Sequence, residues 1–245
     1  MIPILRVRGL SKRFGALAVT QDVTLDVPAR GLHALIGPNG AGKTTLINQL
    51  MGTLAPDSGQ ITLGETDITR MAPHRRARLG LARTFQISAL VPGFTAAENV
   101  ALAAQARAPH PLRCWGRPGG IAAAADVLTQ VGLNDRAHIA AQDLSHGEQR
   151  ALELACALAL QPRCILLDEP LAGMGHDEAT AIIALLQRMR QTLGLLMVEH
   201  DMDAVFALAD QVTVLVGGRI IATGPAAAVR ADPLVRAAYL GDEAC

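Results

Sequence analysis

Eight residues at 37–44, Gly37-Pro38-Asn39-Gly40-Ala41-Gly42-Lys43-Thr44, restrict this chain more than any other stretch. They follow a short apolar run at 32–36 and lead into a helical pattern at 43–51. The spacing therefore predicts a buried strand, a tight loop and a helix in immediate succession. Glycines without side chains let backbone N–H groups curl round phosphate oxygens, and the positive end of the helix dipole points to the same place. Lys43 is placed to reach the outer phosphates and Thr44 a Mg²⁺ ion. Of the 22 Lys and Arg residues only Lys12 and Lys43 are Lys. In a chain that uses Arg almost everywhere else, a Lys here marks a site that needs a compact ammonium rather than a planar guanidinium.

The remaining pattern fits an α/β fold. Residues 4–10 and 18–27 alternate apolar and polar side chains, as two antiparallel strands joined near 13–16 would. A turn at 57–59 leads into a strand at 60–63, and another strand spans 81–85. The character then changes: 96–107, 121–131 and 147–160 are Ala- and Leu-rich with helical spacing, interrupted by a Pro/Gly-rich stretch at 109–120. Alternation returns with strands at 164–167, 195–198 and 212–216 and helices at 177–191 and 202–209. Gly217 and Gly218 then turn the chain into a last strand at 219–223. This order predicts an α/β core with a helical lobe inserted, and 245 residues, 50% of them hydrophobic, suffice for one such domain.

Several function classes drop out. The formal net charge is zero, so no overall basic field exists to hold a nucleic-acid backbone. The longest apolar runs, at 151–160 and 193–198, fall short of the ~20 residues of a membrane span. The N-terminal MIPILRVRGL sets charged residues inside its apolar stretch and lacks a cleavable signal pattern, so a cytosolic location is expected. Cys114, Cys156, Cys164 and Cys245 show no CxxC pair and no zinc spacing, and read as small buried hydrophobes or a tail thiol.

Two further stretches carry chemistry. The apolar run at 164–167 ends in Asp168-Glu169. Adjacent side chains on an extended chain point opposite ways, so the two carboxylates take different tasks: Asp168 toward Mg²⁺ through water, Glu169 toward the attacking water as its base or orienter. Ser145, in Asp143-Leu144-Ser145-His146-Gly147-Glu148-Gln149-Arg150, sits where the N-cap of the following helix belongs, with Gly147 allowing close backbone approach. A capped helix and nothing more is one reading. The other is a second anion site, which could serve the far side of a triphosphate only if it came from another copy.

Taken in order, these motifs resemble the nucleotide-binding subunits of ABC transporters over nearly the whole chain. Residues 144–149 are similar to that family's signature motif. The resemblance implies that Ser145 and Gly147 contact the γ-phosphate of ATP held by a second ATPase subunit, in a homo- or heterodimer. It implies ATP and Mg²⁺ bound by Gly37, Pro38, Asn39, Gly40, Ala41, Gly42, Lys43, Thr44 and Thr45. Phe14, in Lys12-Arg13-Phe14-Gly15, resembles the aromatic that stacks on adenine, although a lone Phe would otherwise read as core. Gln86, in Arg83-Thr84-Phe85-Gln86, resembles the glutamine that touches Mg²⁺ and water where core meets helical lobe. His200, in Val198-Glu199-His200-Asp201, resembles the switch histidine, although alone it would read as a solvated loop residue. The implied fold is a RecA-like P-loop NTPase core, 1–86 and 161–240, with an N-terminal antiparallel β subdomain, an inserted α-helical subdomain at 87–160, and a tail at 241–245.

Two positions depart from the family pattern: His146 stands where the signature usually has Gly, and Gly175 where an Asp or Asn is usual. Asp177 could substitute for the latter. The stretches 67–69, 83–86, 171–174, 199–202 and 238–241 are similar to the importers of branched-chain and related hydrophobic amino acids and their urea and amide relatives. That subgroup implies two transmembrane permeases, whose coupling helices would meet a groove near Gln86 and 87–94, and indirectly a periplasmic solute-binding protein. It places the ATPase at the cytoplasmic face of the inner membrane, peripheral through the permeases. A lipopolysaccharide-export subgroup shares the Tyr-Leu-Gly ending and stays open as an alternative. Soluble ABC ATPases normally carry two cassettes or long coiled coils, whereas this chain has one cassette and no heptads.

Overall fold

The computed structural model describes residues 3–84, 90–106 and 119–240, apart from the side chains of 119–123 and 238–240. Strands β1 (Pro3–Phe14) and β2 (Leu17–Pro28) pair antiparallel, with Phe14 opposite Leu17 at the turn. β3 (Gly31–Ile36) then runs into the glycine loop, and α1 (Lys43–Met51) starts at Lys43. α1 buries Leu46, Ile47 and Leu50 completely, each worth roughly 1.5–3 kcal/mol relative to exposure. β4 (Ser58–Leu63) pairs with β1, and the two-residue β5 (Thr66–Asp67) completes a sheet in the order β2-β1-β4-β5. Ser58 and Gly59 belong to β4 rather than to the expected turn, because a register shift between Arg8 and Ser11 lets the two strands continue pairing there.

α2 (Pro73–Arg78) lies between the strands expected at 60–63 and 81–85, in a stretch with no element expected from the sequence. What fixes it is Arg76, only 1% exposed. Its guanidinium donates to the carbonyls of Gln49 at 2.7 Å, Leu50 at 2.6 Å, Thr69 at 2.9 Å and Met71 at 2.8 Å. It thus satisfies orphan carbonyls at the negative end of α1. Burial lowers its pKa to about 10. β6 (Leu81–Arg83) follows; Phe85, the expected end of this strand, lies outside the described residues.

Helices α3 (Ala96–Gln105), α4 (Gly119–Val131) and α5 (His146–Ala159) come next and pack on one another. Arg107, Cys114 and residues 109–118 of the Pro/Gly-rich stretch lie outside the described residues. The chain then alternates: β7 (Cys164–Asp168), α6 (His176–Met189), β8 (Gly194–Val198), α7 (Met202–Leu208), β9 (Gln211–Val216) and β10 (Arg219–Pro225). Two short helices, α8 (Ala226–Ala231) and α9 (Pro233–Leu240), end the described chain. Cys245 and the tail 241–245 lie outside the described residues.

The second sheet has the order β10-β9-β3-β8-β7-β6, parallel except for β10 against β9. Its alternate residues feed two cores, as a sheet covered on both faces requires. Ala34, Ile36, Ile165, Leu167, Leu195 and Met197 face the helices α3 to α6. Leu35, Leu166, Leu196 and Val198 face α1 and the antiparallel sheet. The helical segment shares its apolar core with the sheet and α6. Cys164 is buried and Cys156 half-buried, and burial pushes both thiols up to about 12, so both behave as inert hydrophobes.

Candidate functional site

Register brings the expected residues together. Leu35 of β3 lies beside Val198 of β8, and Val198 beside Asp168 of β7. The chain past each of these adjacent strands therefore emerges at one sheet edge: Gly37 after β3, Glu199 and His200 after β8, Glu169 after β7. Carboxyl ends of parallel strands are where open α/β sheets hold ligands.

The loop between β3 and α1 lies tightly against its neighbours. A Cβ at Gly37 would overlap the carbonyl oxygen of Leu215, and one at Gly42, where φ is 103°, that of Val19. Only glycine fits either place. Gly37, Ala41 and Gly42 are buried, Pro38, Lys43 and Thr45 half-buried, and Asn39, Gly40 and Thr44 exposed. α1 begins without a side-chain cap and without an acidic residue in its first turn, which leaves its N–H groups for an anion. Lys43 Nζ donates to the carbonyls of Gly37 and, at 3.0 Å, of Pro38. Burial lowers the Lys43 pKa, while the charges of Glu169 and Asp168 act to raise it.

Asp168 is 4% exposed and accepts from Arg83 Nη2 at 2.7 Å; Arg83 Nη1 also donates to Asn48 Oδ1 of α1 at 3.0 Å. This buried pair ties β6 and β7 to the helix behind the loop. Removing one partner of such a pair costs about 3–5 kcal/mol. Glu169 follows with φ 46°, an uncommon left-handed conformation for a non-glycine residue. His200 Nδ1 lies 3.9 Å from Glu169 Oε1 and 3.6 Å from Glu199 Oε2. Its side chain is 66% exposed, so it stands over the edge rather than in the core. Thr44 carries a hydroxyl and Asp168 a carboxylate, hard oxygen donors of the kind that Mg²⁺ takes alongside phosphates. Gln86 lies outside the described residues. Phe14 is 51% exposed at the end of β1, with Lys12 Nζ 5.7 Å from its ring centre, so it is not a core residue.

The second helix start is built differently. Ser145 caps α5: its hydroxyl accepts from the Glu148 N–H at 3.2 Å, while the Glu148 carboxylate accepts from the Ser145 N–H at 2.9 Å. That bond, with help from Arg136 at 2.9 Å, holds the Glu148 carboxyl below its ordinary range. The Gly147 N–H donates to Glu178 Oε1 of α6 at 3.0 Å. Ser145 and His146 are exposed. Gly175 is the N-cap of α6, and Asp177 is exposed in its first turn.

Four residues here escaped sequence reasoning. Arg83 is one, and Glu178 another. Arg150 pairs with Glu153 at 2.8 Å and donates to the Glu169 carbonyl at 3.2 Å, linking α5 to the end of β7. Glu199, 1% exposed, accepts from Leu171 N–H and His200 N–H, each at 3.0 Å, and so fastens the loop after Glu169 to the loop of His200. Its place beside His200 in the sequence was the available signal, but a Glu after a strand ordinarily faces water. His33 is a core residue: its Nε2 lies 2.8 Å from Thr213 Oγ1, and burial lowers its pKa to about 4.

Residues 20–172 match the ABC transporter family model. The chain belongs to the ABC transporter family. Residues 219–245 also match the model of the branched-chain amino acid ATP-binding cassette transporter. The chain is 37% identical to the high-affinity branched-chain amino acid transport ATP-binding protein BraF of Pseudomonas aeruginosa, and 35% identical to the high-affinity branched-chain amino acid transport ATP-binding protein LivG of Salmonella typhimurium, each match covering 98% of both chains. It is 32% identical to the lipopolysaccharide export system ATP-binding protein LptB of Acidithiobacillus ferridurans, over 99% of both chains. A crystal structure of an ATP-binding cassette of an ABC transporter in its ADP conformation superposes with a TM-score of 0.89 at 30% identity, covering 98% of this chain and all of that one. As an ABC ATPase, the protein binds and hydrolyses ATP as part of a transporter. ABC ATPase subunits work with permease components, and no helix among the described residues is long and apolar enough to cross a membrane.

Proposed function

We propose that this ABC ATPase powers import of branched-chain or other hydrophobic amino acids, or of related small solutes such as urea or amides. It acts at the cytoplasmic face of the inner membrane, held there by two permeases fed by a periplasmic solute-binding protein. The match of residues 219–245 to the branched-chain amino acid cassette model supports the cargo class over lipopolysaccharide export. Reconstitution with each kind of permease distinguishes the two cargoes: uptake of a radiolabelled branched-chain amino acid is the expected result.

The single observation that carries the mechanism is the convergence of Lys43, Asp168, Glu169 and His200 on one sheet edge. ATP lies along Gly37 to Thr45, with adenine on Phe14, and Lys43 turns from the loop carbonyls to the outer phosphates. Thr44, Asp168 and, by family resemblance, Gln86 would hold Mg²⁺, which would neutralise charge on the phosphate oxygens. Ser145 and Gly147 of a second subunit close on the γ-phosphate from the other side. A water oxygen, held by Glu169 and His200, bonds to the γ-phosphorus in line. The bond to the bridging oxygen breaks, ADP leaves with that electron pair, and Glu169 accepts the water proton. Loss of the γ-phosphate removes the bridge and the subunits part. The helical subdomain at 87–160 transmits closure to the permeases and, by family resemblance, Gln86 relays it from the core, 1–86 and 161–240; 241–245 is a tail.

Glu169→Gln tests this reading. The variant is expected to bind ATP, lose hydrolysis by about 10²- to 10⁴-fold, and accumulate as an ATP-dependent dimer of the 25.7 kDa chain by size-exclusion chromatography. Hydrolysis at the unaltered rate would remove Glu169 from the role.

A further inference from the structure

The Gly147 N–H is not open to a phosphate: the carboxylate of Glu178 occupies it at 3.0 Å. A Cβ at Gly147 would meet Glu178 Cγ at 3.0 Å, Cβ at 3.1 Å and Cδ at 3.2 Å, so the glycine admits the acidic side chain as well as any nucleotide. The next donor of the same helix turn, the Glu148 N–H, is taken by Ser145 Oγ. Two carboxylates, Glu148 and Glu178, therefore already stand at the positive end of α5. A γ-phosphate arriving there would be a third anion within one turn. It can reach the Gly147 N–H only after Glu178 has left.

We propose that Glu178 is an internal stand-in for the γ-phosphate. It holds α5 to the first turn of α6 in the unpaired subunit and sets how much ATP is needed to draw two subunits together. This rests on the reading that Gly147 meets a second subunit's nucleotide. Glu178 is half-buried and follows Gly175, the extended N-cap of α6, whose own N–H lies 3.4 Å from the other Glu178 oxygen. Rotation of its side chain frees Gly147 without moving either helix. Displacement of Glu178 also removes this one bond between α5 and α6, which begins seven residues after Glu169, so arrival of the partner's phosphate is felt near the hydrolytic side of the same subunit.

The test compares Glu169→Gln with Glu169→Gln/Glu178→Ala and Glu169→Gln/Glu178→Gln, titrating Mg·ATP and reading the monomer–dimer ratio by light scattering. ATP binding to the monomer is measured separately. Removing the competitor lowers the ATP concentration at half dimerisation by about three- to tenfold, the span of one net hydrogen bond. Glu178→Gln, which keeps an acceptor but not the charge, falls between. A merely structural role moves the midpoint the other way, because lost packing weakens pairing. An unchanged or raised midpoint in both variants overturns the proposal. Failure of Glu169→Gln itself to dimerise with ATP overturns the underlying reading instead, so the two failures are distinguishable.

Discussion

The starts of α1 and α5 are both anion sites in outline, yet they are finished in opposite ways. α1 opens on glycine, with no cap, no first-turn acid and a lysine already aimed back at its own loop carbonyls. α5 opens on a capping box and carries two carboxylates at its first N–H groups. The first is ready to take an anion from solution, because nothing must be displaced except the lysine's bonds to neutral carbonyls. The second is already satisfied, so a phosphate must compete for it. On the proposed reading of paired subunits, that difference gives an order: nucleotide first fills the loop of its own subunit, and the capped helix of another joins afterward.

Each half of the comparison can be broken separately. Lys43→Ala removes the one cation of the loop at 37–44 and should weaken ATP binding by the unpaired subunit about tenfold to a hundredfold, as loss of a charge-assisted contact implies. Equilibrium binding of a fluorescent ATP analogue checks this. Unchanged affinity would mean that the glycine backbone suffices alone. Ser145→Ala should cost about 1 kcal/mol of stability through the lost cap, measured by denaturant melts, and leave ATP affinity of the unpaired subunit unaltered. Weaker binding in that variant would place the serine beside its own subunit's nucleotide and erase the distinction.

Much of this was legible because the site lies on regular elements. The strand, loop and helix at 32–51 follow from apolar burial and glycine spacing, and α1 starts at Lys43 as expected. Ser145 and Glu148 form the capping box that their spacing encodes. The rest depends on contacts between distant residues. Arg76 makes α2 by filling the end of α1, and Arg83 reaches Asp168 across 85 positions. Glu178 meets Gly147 only because α5 and α6 pack together. No local pattern encodes such pairings, and an acid or arginine read in isolation defaults to solvent.

The central claim is that each ATP is shared between two copies, and a mixed-copy photocrosslink tests it most directly. An affinity-tagged Lys43→Ala subunit, unable to hold ATP well, is mixed with an untagged subunit and an ATP analogue carrying a photoreactive γ-phosphate substituent. The account predicts label on the tagged copy, within the tryptic peptide 137–150 that contains Ser145. Label confined to the untagged copy, on its own Ser145 peptide, would contradict it.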